Sequence, residues 1–313
     1  MRAYQSGHGE SLVSMKRRAG MAAVLAAAMM AAGGAALPPH DPPLVQEEFH
    51  YPALKNGANF AGTAAAAAGL AGTYSLNATR STVTYDATGL SFPGLQTSGG
   101  AVTLYPTGGA TSLSVELAPQ ALLTSTNLYG GYLVNIATLT ATSIPAVIVG
   151  DKNAPQAYDS RLQIYAAAGG YKDANEGQIT LYPENKTYYD NHGAPLSAGK
   201  TYLVLFHVSG VNRTSGPVYM EEWILSNPQY RHFAAHLTRG VLNRAALGAA
   251  ADAVTEKGFI GWDHVAGHPY FNVGSAKGDG HYLTLFDYGS DATIDEIRLS
   301  ARDLAAVAPR AKP

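Results

Sequence analysis

Short segments of this chain alternate polar and apolar residues with a period of two, and most of them stop at a glycine or proline within a few residues. That period places successive side chains on opposite sides of the backbone, as an extended strand does and a helix does not. Within 161–166, Arg161, Gln163 and Tyr165 share one side, while Leu162, Ile164 and Ala166 share the other. Segments 81–86, 101–105, 178–182, 218–225, 282–288 and 293–299 are written in the same style. Segment 201–208 is apolar on both sides, which predicts a strand in the middle of a sheet. The first ordered strand is expected at 47–51. The Ala-rich stretch 61–72 has helix propensity, but Gly57, Gly62, Gly69 and Gly72 come too often for one, since each costs about 1 kcal/mol inside a helix. Two helices are expected elsewhere: 228–251, where Leu237, Val241, Leu242 and Leu247 recur at helical spacing, and a short one at 300–308.

Composition agrees with many short strands. Nineteen Tyr suit pleated surfaces, and 34 Gly with 17 Pro supply corners. Charged residues are only 14% of the 313 and the formal charge is -2, which gives no electrostatic reason to hold a phosphate backbone, so a nucleic-acid partner is not expected. There is no cysteine, which removes thiol catalysis, thiolate metal sites and disulfides together. No composition shift or repeat divides 45–308, so one domain is expected there, after a Pro-rich lead-in at 37–44 and before a tail at 309–313.

The N-terminal segment sets the expected compartment. Lys16, Arg17 and Arg18 precede a run of Ala, Met, Val and Leu that ends in small residues at Ala36, the order of a secretory signal. Residues 1–36 are therefore read as a signal peptide, with Met15 offering a second start. Ala and Gly give this run too little hydrophobicity for a stable span, so no membrane segment is expected after cleavage. Removing Arg2, Lys16, Arg17, Arg18 and Glu10 leaves 17 basic against 22 acidic residues, a mildly acidic exported protein, secreted, periplasmic or on the cell surface.

The C-terminal words Asp291-Ala292-Thr293-Ile294-Asp295-Glu296-Ile297-Arg298-Leu299-Ser300, with Ala301-Arg302-Asp303-Leu304 behind them, resemble the closing strand of laminin-G-like, concanavalin A-like jelly-roll domains. Glu48-Phe49-His50-Tyr51-Pro52 and Gly89-Leu90-Ser91-Phe92-Pro93-Gly94-Leu95 with Gly99-Gly100 resemble the opening of exported bacterial members. The resemblance implies an all-β, two-sheet antiparallel sandwich with one or two short helices, whose first and last strands lie side by side. Where a glycosidase of the group would carry Glu-x-Asp-x-Glu, this chain has Met220-Glu221-Glu222-Trp223-Ile224.

That departure matters chemically. A retaining glycosidase needs two carboxyl groups about 5–5.5 Å apart, and neighbours on a strand point to opposite faces, so Glu221 and Glu222 do not form such a pair. A polysaccharide lyase would use an Arg, a Gln or His and a Tyr on one face, which Arg161, Gln163 and Tyr165 supply, as any half-solvated strand also does. His207 sits in an apolar strand and reads as a hydrogen-bonded core residue. Asp263, His264, His268 and His281 read as loop residues rather than a metal set, because Gly261, Gly267 and Pro269 break the helix that would align them. If the terminal strands pair, Glu47, Glu48 and Asp295 come near enough to suggest calcium, which asks for 6–8 oxygen ligands. Saccharide binding needs only aromatic platforms and planar polar groups, and Arg161, Gln163, Tyr165, Tyr189, Trp223 and Trp262 are the candidates. The sequence thus predicts an exported, non-enzymatic sandwich that binds a glycan or another envelope component. The alternatives are a lyase or hydrolase of the same fold and a structural surface module that contacts protein.

Overall fold

The computed structural model describes residues 42–77, 81–92, 95–107, 109–118, 122, 124–138, 146–150, 162–165, 167–168, 177–178, 192–193, 197–210, 218–225, 237–238, 241–242, 253–261 and 282–308. Two antiparallel sheets dominate these residues. The larger has nine strands, in the order β11 (His192–Gly193), β16 (Ala253–Gly261), β13 (Val218–Leu225), β12 (Thr201–Ser209), β6 (Asn127–Ile136), β18 (Ala292–Ser300), β4 (Ala101–Tyr105) and β3 (Thr82–Asp86), with β1 (Val45–Glu47) also paired to β18. The smaller runs β2 (Leu70–Asn77), β5 (Ala110–Leu117), β17 (Tyr282–Tyr288), β7 (Ala146–Gly150) and β8 (Leu162–Tyr165). Two short pairs, β9 (Ala167–Ala168) with β10 (Gly177–Gln178) and β14 (Leu237–Thr238) with β15 (Val241–Leu242), form separate sheets.

Alternation decides which side of each strand is buried. In β12, Tyr202, Val204, Phe206 and Val208 enter the layer between the sheets, where β5 and β17 present Leu113, Val115, Leu283 and Leu285. Leu203 and Leu205 point the other way, yet they are buried too, in a second cluster with Leu133, Trp223, Phe92, Leu95, Leu304 and Val307. Both sides of β12 are apolar because both are covered, and it lies inside the sheet between β6 and β13, as its sequence predicts. Each such Leu or Phe contributes about 1.5–3 kcal/mol on burial. Near β1 the inter-sheet layer is aromatic: Phe60 meets Tyr51 edge-on at 5.0 Å and Tyr74 at 4.9 Å between ring centres.

The first and last strands do lie side by side, Val45 opposite Leu299 and Glu47 opposite Ile297. The first strand is shorter and earlier than the expected 47–51, because Phe49 takes a left-handed φ of 48° that ends the extended run. The Ala-rich stretch is not helical. Gly69 turns it with φ +80, its Cα so close to Leu44 that a Cβ would lie 2.1 Å from that carbonyl oxygen.

Both helix expectations need correction. In 228–251 the described residues are strand, Leu237–Thr238 pairing antiparallel with Val241–Leu242, which suits the β-branched Thr238 and Val241; the rest of that segment lies outside the described residues. At 300–308, β18 continues to Ser300 and is followed by a single turn, in which Ala308 N–H donates to the Leu304 carbonyl at 3.1 Å and Asp303 Oδ1 accepts from Ala306 N–H at 2.7 Å.

Candidate functional site

Among the described residues, a dense polar cluster lies where β18 changes partner. Ala292 to Ile294 pair with β4, whereas Ile297 to Leu299 pair with β1. Between them, register with β6 breaks from Asp295 to Arg298, and Glu296 has φ 53, a bulge that leaves two acidic side chains at one seam. All three backbone segments that meet there supply hydrogen bonds. Asp295 Oδ2 accepts from Leu90 N–H at 2.8 Å and its Oδ1 from Glu296 N–H at 2.6 Å. Glu296 accepts from Ser98 N–H at 2.6 Å and from Arg298 at 2.5 Å. Glu48 accepts from the Ser98 hydroxyl at 2.7 Å, from Arg298 at 3.4 Å and from Gln46. Glu47 faces the aromatic layer instead, accepting from Phe49 N–H at 2.6 Å, Tyr51 O–H at 3.0 Å and Tyr74 O–H.

Burial raises the carboxyl groups of Glu47, Asp295 and Glu296 above their ordinary values, and the hydrogen bonds to each only partly offset it; for Asp295 the neighbouring Glu296 charge adds to the rise. Glu48 is also partly buried, but bonds from Ser98 and Gln46, with Arg298 beside it, hold its carboxyl below the ordinary value. The calcium expectation for Glu47, Glu48 and Asp295 does not fit this geometry. Every one of their carboxylate oxygens already serves an N–H or O–H donor, and no three acidic or histidine side chains converge on a metal position among the described residues. The cluster is a seam, not an open site.

The predicted saccharide residues are dispersed. Trp223 is only 2% exposed in the second cluster, so its ring offers no face to a sugar; this corrects its candidacy. Gln163 and Tyr165 belong to β8, an edge strand of the smaller sheet among the described residues, opposite Ile148 and Ala146. Arg161, Tyr189 and Trp262 lie outside the described residues, as do Asp263, His264, His268 and His281. Glu221 and Glu222 stand opposite His207 and Phe206 in the register. Phe206 belongs to the inter-sheet layer, whereas His207 stacks on Tyr129 at 4.3 Å and pairs through Nε2 with Asn127 Oδ1 at 3.1 Å, buried to 8% exposure. His207 is held as the sequence predicts, by a hydrogen bond within the sheet.

An open cleft of about 440 Å³ lies at one end of the sandwich. Strand ends build it: Pro106 and Gly109 between β4 and β5, Thr138 after β6, and Tyr288 to Asp291 linking β17 to β18. Ala137 N–H donates to the Asp291 carbonyl at 2.9 Å and ties two of these ends together. Tyr288 is 42% exposed on its wall, and Tyr105, next to Pro106, is 37% exposed. The sequence assigns Asp287 and Tyr288 to strand 282–288 and Asp291 to the closing words without marking any of them as a site, although a tyrosine and two acids around a glycine are the available signal.

Behind the cleft, Asp287 is completely buried. Its Oδ1 accepts from the Ser290 hydroxyl at 3.0 Å, while its Oδ2, like the hydroxyl of Thr111 opposite it in the register, meets no protein partner. Burial therefore pushes the Asp287 carboxyl up to about 7, with the charge of Asp291 adding and the bonds from Ser290 and the Tyr288 backbone opposing. The unfolded chain releases this proton near 3.8, so the folded state's advantage is full below that pH and is lost as pH rises through about 7. Asp287→Asn, which cannot ionise, is expected to flatten this dependence and to be more stable than the parent at pH 8 by up to about 4 kcal/mol. Denaturant melts of both proteins at pH 5 and pH 8 check it; parallel pH profiles would contradict the assignment.

The strand pairing defines the class: an all-β antiparallel sandwich of two packed sheets. No family model and no curated protein matches the chain. Among solved structures it is similar to the alginate lyase Aly36B (10% identity, TM-score 0.38, 83% of this chain and 98% of that one). It is similar also to the receptor binding domain of botulinum neurotoxin mosaic serotype C/D (10% identity, TM-score 0.39, 85% and 48%) and to an engineered GH43 glycoside hydrolase (8% identity, TM-score 0.35, 64% and 34%). The chain thus spans about half of that toxin chain and a third of that hydrolase. The sandwich stands on the pairing described above rather than on these likenesses.

Proposed function

We propose that the chain is an exported, non-enzymatic domain of the laminin-G-like branch of concanavalin A-like jelly rolls, secreted or held at the cell envelope, and that its end-on cleft binds a glycan. The observation that carries this reading is Tyr288. A tyrosine 42% exposed in a cleft that Asp291 also lines supplies an aromatic face and an acidic residue, the two kinds of group that sugar rings require. The non-enzymatic part is supported by the use of the acids at the seam: Glu47, Glu48, Asp295 and Glu296 spend their oxygens on internal donors.

A glycan array probed with the folded full chain tests this, with Tyr288→Ala alongside. Binding by the parent and a loss of at least about tenfold in the variant, at unchanged melting temperature, is the expected result; tenfold corresponds to about 1.4 kcal/mol of ring contact. Silence across the array from a folded sample would end the reading.

A further inference from the structure

We infer that the cleft discriminates saccharides by charge, favouring those that carry a free amino group, accepting neutral ones and rejecting uronates. This rests on the glycan-binding reading above and adds the ligand class to it. Three observations point the same way. First, the residues that line the cleft include the acidic Asp291 and, among the described residues, no lysine or arginine. A uronate carboxylate is held in proteins by arginine, lysine or converging N–H donors, so an acidic sugar would enter here against a like charge with no cation to offset it. Second, the Tyr288 ring that a sugar would stack on is also a face for a cation, since the negative π-face attracts an ammonium within about 6 Å. Third, Asp287 lies directly behind the turn that carries Tyr288 and Asp291, with one carboxyl oxygen that no protein group serves. Asp287 does not line the cleft, and it adds negative potential behind it only where its carboxyl is ionised, above about pH 7.

Geometry, not overall charge, is what distinguishes this from generic attraction. The protein without residues 1–36 carries 17 basic against 22 acidic side chains, so any polycation would be drawn weakly to it. Selection at the cleft requires that both Asp291 and Tyr288 matter, because one would hold the ammonium and the other the ring.

Isothermal titration of the full chain with chitosan oligosaccharides, their fully N-acetylated counterparts and alginate oligosaccharides of equal length tests the inference. The free-amine oligomers are expected to bind at least about fivefold more tightly than the acetylated ones, and the alginate oligomers at least about tenfold more weakly than the acetylated ones. Asp291→Asn should bring the amine and acetyl series within about twofold, and Tyr288→Ala should weaken both. Alginate bound as tightly as the neutral series, with the same dependence on Tyr288, would overturn the charge selection and leave glycan binding intact. Chitosan binding that neither substitution alters would overturn it as surface attraction. No binding of any series would remove the underlying reading as well.

Discussion

Gly99→Ala is expected to part the first strand from the last and to lower stability by at least about 4 kcal/mol, the range reserved for strain and overpacking that the backbone cannot absorb. Gly99 has φ +75, and a Cβ there would sit 1.8 Å from the Glu48 carbonyl oxygen and 2.8 Å from its carbon. Both atoms are main chain, so no side chain can swing aside. Relief requires moving the end of β1, and that breaks the Gly100 N–H bonds to Glu48 and Phe49 and pulls Ser98 from Glu48 and Glu296. Gly57→Ala is the matched control. Its φ is +79, but a Cβ meets nothing within 4 Å, leaving only the conformational cost of about 1–2 kcal/mol. Urea melts of the two variants check the difference, and equal losses would show that close approach at Gly99 is not what holds the seam.

Arg298→Met removes the cation that faces Glu296 at 2.5 Å and Glu48 at 3.4 Å, and the expected loss at neutral pH is about 3–5 kcal/mol, because the buried Glu296 is left charged and uncompensated. The pH dependence carries the mechanism. Burial already raises the Glu296 carboxyl, and Arg298 is the main influence pulling it back; without the arginine it rises further. A carboxyl raised in the folded state contributes stability below its unfolded value, 4.5, and loses it as pH climbs above. The variant's deficit should therefore be small near pH 4 and full at pH 7.5. Melts at those two values check it, and a deficit of the same size at both would mean that the methionine acts through packing alone.

Much of the sandwich could be read from alternation, since Val218–Leu225 and Tyr282–Tyr288 occupy the predicted segments and the doubly apolar 201–208 is a central strand. What failed did so for reasons that local periodicity does not contain. Tyr219, Glu221 and Trp223 alternate as a solvated face would, but Phe92 and Leu95 from one loop and Leu304 and Val307 from the C-terminal turn cover Trp223. The cover comes from 80 to 130 positions away in the chain, roughly counted. The acids Glu47, Glu48 and Asp295 met near the seam, as the pairing of the end strands implied, yet their oxygens went to Leu90, Ser98, Phe49 and Arg298, none of which a count of carboxylates reveals. Glu296 in a left-handed conformation inside a strand has no sequence sign at all. The cleft escaped notice because its residues are the unremarkable ends of five strands, made into a site only by being brought to one end of the body.

The order of strands has a consequence for how the molecule comes into being. In the smaller sheet β17 lies between β5 and β7, and in the larger one β18 lies between β6 on one side and β4 and β1 on the other. Among the described strands, the last two, β17 and β18, each join two parts of one layer. While a ribosome is still short of residue 282, β2–β5 and β7–β8 lack the strand that joins them, and β1 and the β3–β4 pair lack the strand that joins them to β6 and β12. Closure waits until synthesis has passed Ser300, and until then the nascent chain is a client for whatever holds unfolded polypeptides apart in the cell.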